Sequence, residues 1–155
     1  MSKQSNDIRG VTISVTGGRL MLPNANIAEI ITFAEPEAVP GAPDWVLGRL
    51  RWRGWRLPLI SFSRLAGLAQ NEGELGAKVA VLRALGQNPK LPYFTLLTQG
   101  FPRLTTVSAE ALVRVDEGDL PPGAQMRILL RDEYSYIPDL IDIENRLVEV
   151  LQLAA

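Results

Sequence analysis

The chain contains neither cysteine nor histidine. The first absence rules out disulfides, thiolate metal sites, iron–sulfur clusters and a cysteine nucleophile. The second removes the commonest general base near neutral pH, the commonest transition-metal ligand, and every triad or dyad built on imidazole. An enzyme would have to work with carboxylates, Lys, Ser or Tyr alone, and no spacing points to one. No enzymatic activity, cofactor or metal is therefore expected.

Long apolar runs are missing as well. No segment approaches the ~18 apolar residues of a membrane span, and Met1 to Arg9 is polar, unlike a secretory signal. A cytoplasmic location without membrane insertion is expected. Nor does one sign of charge dominate: 16 Lys and Arg against 17 Asp and Glu leave a net charge of −1. Such a balance creates no global field for polyanions or anionic lipid, so any charge-based recognition is local.

What is present suits one folded unit. A chain of 155 residues, 46% hydrophobic and 21% charged, can remove roughly 70% of its unfolded surface from water. Residues 1–9 read as a flexible tail and 10–155 as a single domain of two β-barrel halves. Val11, Ile13 and Val15 alternate with Thr12, Ser14 and Thr16 before Gly17-Gly18, and Leu20 and Leu22 follow, which predicts a hairpin. From Asn24 to Phe33 the residues Ile27, Ile30 and Ile31 fall at helical spacing, but frequent β-branching makes a short helical turn running into a strand an equal reading. Pro36, Pro40, Gly41 and Pro43 fix a structured loop.

Beyond that loop, two extended segments pivot at Gly54 as a hairpin. Ser63 is a candidate cap for a short helix over Arg64 to Leu68. The polar run Gln70 to Gly76 reads as a connector between two halves. Strand-like segments at Lys78 to Leu85, Tyr93 to Thr98, Leu104 to Val115, Gln125 to Leu130 and Tyr134 to Leu140 make the second half mainly β. Asp142 is a candidate cap for a C-terminal helix whose Ile143, Leu147, Val150 and Leu151 share one side. Many short strands without crossover helices predict a mainly β fold of two small barrels.

The segment Gly48 to Pro58 is the most informative. A strand through Gly48-Arg49-Leu50-Arg51-Trp52-Arg53-Gly54 places Arg49, Arg51 and Arg53 on one face and Leu50 and Trp52 on the other. The face is either a solvated surface over a packed Trp or a guanidinium surface for a partner's carboxylates or phosphates. Nucleic acid would want aromatics beside the positive charges; Trp55 supplies one only if the turn at Gly54 brings it to the Arg face. Asp116, Glu117 and Asp119 lack the spacing of a calcium loop. Glu29 has no neighbouring carboxylate with which to work as an acid and base couple, and as a lone charge it suits an interface. Gly17-Gly18 precedes a strand, not the helix of a phosphate loop.

Taken together, Ile27-Ala28-Glu29-Ile30, then Pro40 to Gly48, then Arg53-Gly54-Trp55-Arg56-Leu57-Pro58-Leu59-Ile60, and the closing Leu140 to Glu144, resemble CheW-like adaptor domains. The family shows a Val-x-Glu-Ile turn, a Pro-rich loop and a Gly-x-Ile-Asn-Leu-Arg-Gly hairpin in that order. The resemblance implies two intertwined five-stranded SH3-like β-barrels with short helices and a C-terminal helix. It implies a non-enzymatic adaptor that couples methyl-accepting chemoreceptors to a CheA-type histidine kinase. Carried over by motif, Ile27, Glu29, Gly48, Arg53 and Gly54 fall in or near partner-binding surfaces.

Three departures stand out. Arg51-Trp52 replaces the family's Asn-Leu, Thr98-Gln99 replaces its Val-Asp, and Ser61 replaces the Asp after the hairpin. They imply a divergent adaptor, similar to those of systems controlling type IV pili and twitching motility, with Arg51, Trp52 and Trp55 setting partner choice. The alternative reading of the same residues is a barrel that senses a small acidic molecule through Arg49, Arg51, Arg53 and Arg56.

Overall fold

Short alternating segments become strands because period-two patterning buries one face of each. The protein is represented by a computed structural model describing residues 7–71, 76–115, 118–130 and 132–152. Its strands are β1 (Asp7–Val15), β2 (Gly18–Pro23), β3 (Ile27–Thr32), β4 (Val46–Trp52), β5 (Trp55–Ile60), β6 (Ala77–Arg83), β7 (Tyr93–Gln99), β8 (Arg103–Ser108), β9 (Val113–Val115), β10 (Ala124–Leu130) and β11 (Glu133–Pro138). Two α-helices, α1 (Phe62–Ala66) and α2 (Leu140–Val150), complete them with two 3-10 turns, one of which, Asn24–Asn26, leads into β3 and so selects the turn-into-strand alternative over the helix.

The strands form two sheets, ordered β8-β1-β2-β11-β10-β9 and β3-β6-β7-β5-β4. The mainly β expectation holds, with one sheet of six strands where five were expected; the short β9 is the addition, paired to β10 through Arg127 and its neighbours. The connector at 70–76, of which 72–75 lie outside the described residues, does not divide the sheets. β6 and β7 follow it yet join β3, β4 and β5, while β1 and β2 pair with strands from the far end of the chain. Parallel pairing of β5 with β7 and of β11 with β2 makes these joins. Asp7 to Arg9, expected in a flexible tail, already pair with β8; residues 1–6 lie outside the described residues.

Both faces of the sheets are occupied. Val11, Ile13, Leu20 and Leu22 from one sheet meet Ile60, Leu82, Phe94 and Leu96 from the other in a shared core, closed by Leu140, Ile143 and Leu147 of α2. Each sheet also curls round a cluster of its own, Met21, Val107, Ile128 and Leu130 in one, and Leu50, Leu59, Val79 and Leu97 in the other. Three consecutive buried residues at Leu20-Met21-Leu22 follow from this double covering.

Two helix caps differ from expectation. Ser61, not Ser63, accepts from the Arg64 amide at 3.2 Å, because the helix begins at Phe62; Ser63 turns inward and donates to the Thr16 carbonyl at 2.6 Å. Asp139, not Asp142, caps α2, accepting from the Asp142 amide at 3.0 Å. Asp142 lies a turn later and pairs with Arg146.

Candidate functional site

The β4–β5 hairpin turns through only two residues. Arg53 has φ of 48° and Gly54 φ of 81°, the positive pair of a type I′ turn, whose twist suits antiparallel strands. Glycine accepts this freely; for arginine it costs of order 1–3 kcal/mol. Two contacts offset that cost. The Arg53 guanidinium donates to Glu29 Oε1 at 2.8 Å and lies over the Trp52 ring at 4.7 Å. Each is worth about 0.2–1 kcal/mol at this exposure.

Arg53 is therefore no rung of a basic strand face. It sits in the turn and folds across to Trp52, so the expectation that it shares a face with Arg49 and Arg51 is corrected; positive φ breaks the alternation there. Trp52 is buried, edge-on to Tyr93 at 4.9 Å and 64°, against Leu57 and Val81. Its ring is the platform on which Arg53 rests. Trp55 stands directly opposite Trp52 in register and so shares its face, not that of Arg51. It is 42% exposed at the rim.

The Pro-rich loop is strapped over β4 by Glu37. Its amide and carbonyl exchange hydrogen bonds with Arg49 at 2.9 and 2.8 Å, and its carboxylate pairs with Arg56 at 2.9 Å. Gly48 makes this possible: at φ of 146°, a Cβ there would lie 2.5 Å from the Glu37 carbonyl oxygen. Glycine at this place is a packing requirement. Glu37 carried no signal in the sequence, since its partners lie far along the chain.

The structure thus brings Glu29, Arg51, Trp52, Arg53, Gly54 and Trp55 to one hairpin tip, around an open depression of about 470 Å³. Ile27 departs from the group. A bulge between it and Glu29 leaves Ile27 packed on the shared core. The four arginines of the small-anion reading do not converge either, because Arg53 turns to Glu29 and Arg56 to Glu37. A second surface escaped the sequence reading, an apolar groove of about 340 Å³ between β2, β11 and the start of α2, flanked by the exposed Leu85 and Ile141. Among the described residues no cluster of three or more His, Cys, Asp or Glu is gathered, Asp116 and Glu117 lying outside them.

A profile of the CheW-like domain matches residues 9–118, a span that contains the strap, the hairpin and both strands of its ion pairs. This chain belongs to the CheW-like family. The CheW-like domain is also similar to the crystal structure of scaffolding protein TtCheW from Thermoanaerobacter tengcongensis, with a TM-score of 0.73 over 90% of this chain and 87% of that one, at 13% identity. That likeness bears on the fold. No curated protein sequence matches the chain.

Within the CheW-like domain the closing Leu140 to Glu144, beyond the matched span, begins α2. Glu144 is buried and accepts from the Leu85 and Gly86 amides at 2.8 and 2.6 Å, tying the helix to the β6–β7 loop. Ser61 is buried as the α1 cap and Thr98 is buried donating to the Gly100 carbonyl. Ser61 and Thr98 are thus packed inside, whereas Gln99 is half-buried and Arg51 is exposed. No helix among the described residues is long and apolar enough to cross a membrane.

Proposed function

We propose that this CheW-like domain is a non-enzymatic cytoplasmic adaptor of a bacterial chemosensory pathway, coupling a methyl-accepting chemoreceptor to a CheA-type histidine kinase. The single observation carrying the reading is the hairpin tip. Arg53 projects to solvent with its side chain 70% exposed, yet Glu29 and Trp52 fix its position, so docking on it loses little side-chain entropy.

An adaptor holds two partners at once. The tip and the apolar groove share no residue, which supports simultaneous occupation. Arg51 and Trp52 depart from the family pattern at the tip itself, with Trp55 beside them, favouring a divergent adaptor of the kind that serves type IV pili and twitching motility.

Calorimetry with a CheA-type kinase and a chemoreceptor's cytoplasmic hairpin from the same organism tests the reading. Arg53→Glu is expected to weaken one of the two at least about tenfold, Leu85→Asp the other, and all three proteins to co-elute. If wild type binds neither, the adaptor reading is wrong.

A further inference from the structure

The outer face of the hairpin carries more guanidinium than the fold neutralises. Arg51 and Arg56 stand directly opposite in register, where like charges repel. Arg56 has Glu37, and Arg53 has Glu29. Arg51 is exposed and has no ion pair, hydrogen-bonded side chain or ring contact among the described residues. Arg49, two positions back on the same face, meets Glu37 through backbone alone, and its Nε is enclosed without an acceptor. Glu35 lines the adjoining pocket with Arg49 and Arg51 but forms no ion pair with either.

The geometry of the strand pair makes this surplus specific. Arg51 and Arg56 line one open depression at the tip, where a carboxylate entering it has two donor forks within reach of its two oxygens. The contact adds a missing counter-charge and breaks no internal ion pair of Arg51. A nucleic acid would want a wider positive field than one hairpin supplies, and the chain's net charge of −1 offers none. A second copy of the same strand would set arginine against arginine.

Resting on the adaptor reading, we propose that Arg51 and Arg56 form the docking point for an acidic side chain of the protein partner, and that Arg51 is the specificity-determining member. Arg56 keeps its bond to Glu37 and receives the partner's carboxylate from the Arg51 side.

The test measures dissociation constants for the kinase and for the receptor hairpin across a potassium chloride series, using wild type, Arg51→Gln and Arg51→Glu. One partner is expected to bind about three- to tenfold more weakly to Arg51→Gln, further still to Arg51→Glu, with a shallower salt dependence for both. Changing an acidic residue on that partner to Lys restores binding to Arg51→Glu. Melting temperatures at or above wild type show that the variants fold. If wild type binds while both variants match it in affinity and salt slope, the docking point is refuted and the adaptor reading stands. If the variants lose affinity for a DNA or RNA oligomer instead, the partner class is refuted. If wild type binds neither protein, both readings fall together.

Discussion

The Arg53 guanidinium lies 2.8 Å from the Glu29 carboxylate, 24 positions away in sequence, and so joins the edge strand β3 to the tip of the β4–β5 hairpin. Both side chains are partly exposed, 70% and 37%, so solvent and salt discount the attraction. A double-mutant cycle with Glu29→Ala and Arg53→Ala, followed by urea unfolding, is expected to give a coupling of about 0.5 kcal/mol, shrinking in high salt. The pair's stability contribution is small; with the Trp52 ring beneath it, its consequence is a bias of the guanidinium toward one position.

The two hairpin glycines separate under the same substitution. At Gly54 a Cβ meets nothing within 4 Å, so Gly54→Ala carries only the strain of positive φ, about 1 kcal/mol. At Gly48 a Cβ would overlap the Glu37 carbonyl and the Pro36 side chain. Gly48→Ala is expected to cost roughly 2–4 kcal/mol in denaturant unfolding and to release the Glu37 strap, seen as faster exchange of the Arg49 amide.

Glu144 is expected to matter more for folding than any ion pair at the tip. Removing its carboxylate leaves the Leu85 and Gly86 amides without their acceptor, at about 1–2 kcal/mol for each part-buried, charge-assisted bond. Glu144→Ala should therefore lower stability by roughly 2–4 kcal/mol and speed hydrogen exchange at residues 85 and 86. Glu144→Gln, with one acceptor oxygen, should fall between.

Replacing Arg51-Trp52 by the family's Asn-Leu has two unlike components. Trp52→Leu opens space against Tyr93 and Leu57 and is expected to cost about 1.5–3 kcal/mol. Arg51→Asn is exposed and relieves a like-charge contact, so its effect on stability is near zero or slightly positive. Thermal melts of the two single variants check this, and any change in partner preference of the pair is expected to follow Arg51→Asn.

Much of the strand content was legible because it is local. Alternation marked β1 and β2, Gly54 marked the pivot of the β4–β5 hairpin though not that Arg53 shares its turn, and α2 announced its buried stripe of Ile143 and Leu147. The cap assignments slipped by two or three residues at Ser61 and Asp139, since several neighbouring Ser and Asp side chains can reach a free amide and only the helix start selects among them.

From the sequence alone follow the mainly β class, the family likeness, the absence of thiol and imidazole chemistry, and the hairpin that carries Arg53 and Gly54. Each depends on residue type or on spacing within a few positions. The tertiary structure alone decided which sheet each strand joins, that Arg53 leaves the basic face to rest on Trp52, and that Glu37 pairs with Arg56 while Arg51 forms no ion pair among the described residues. The reason is that strand pairing and ion pairing join residues far apart in the chain. Their distances are set by how the sheets close round a shared core, not by any periodicity along the sequence.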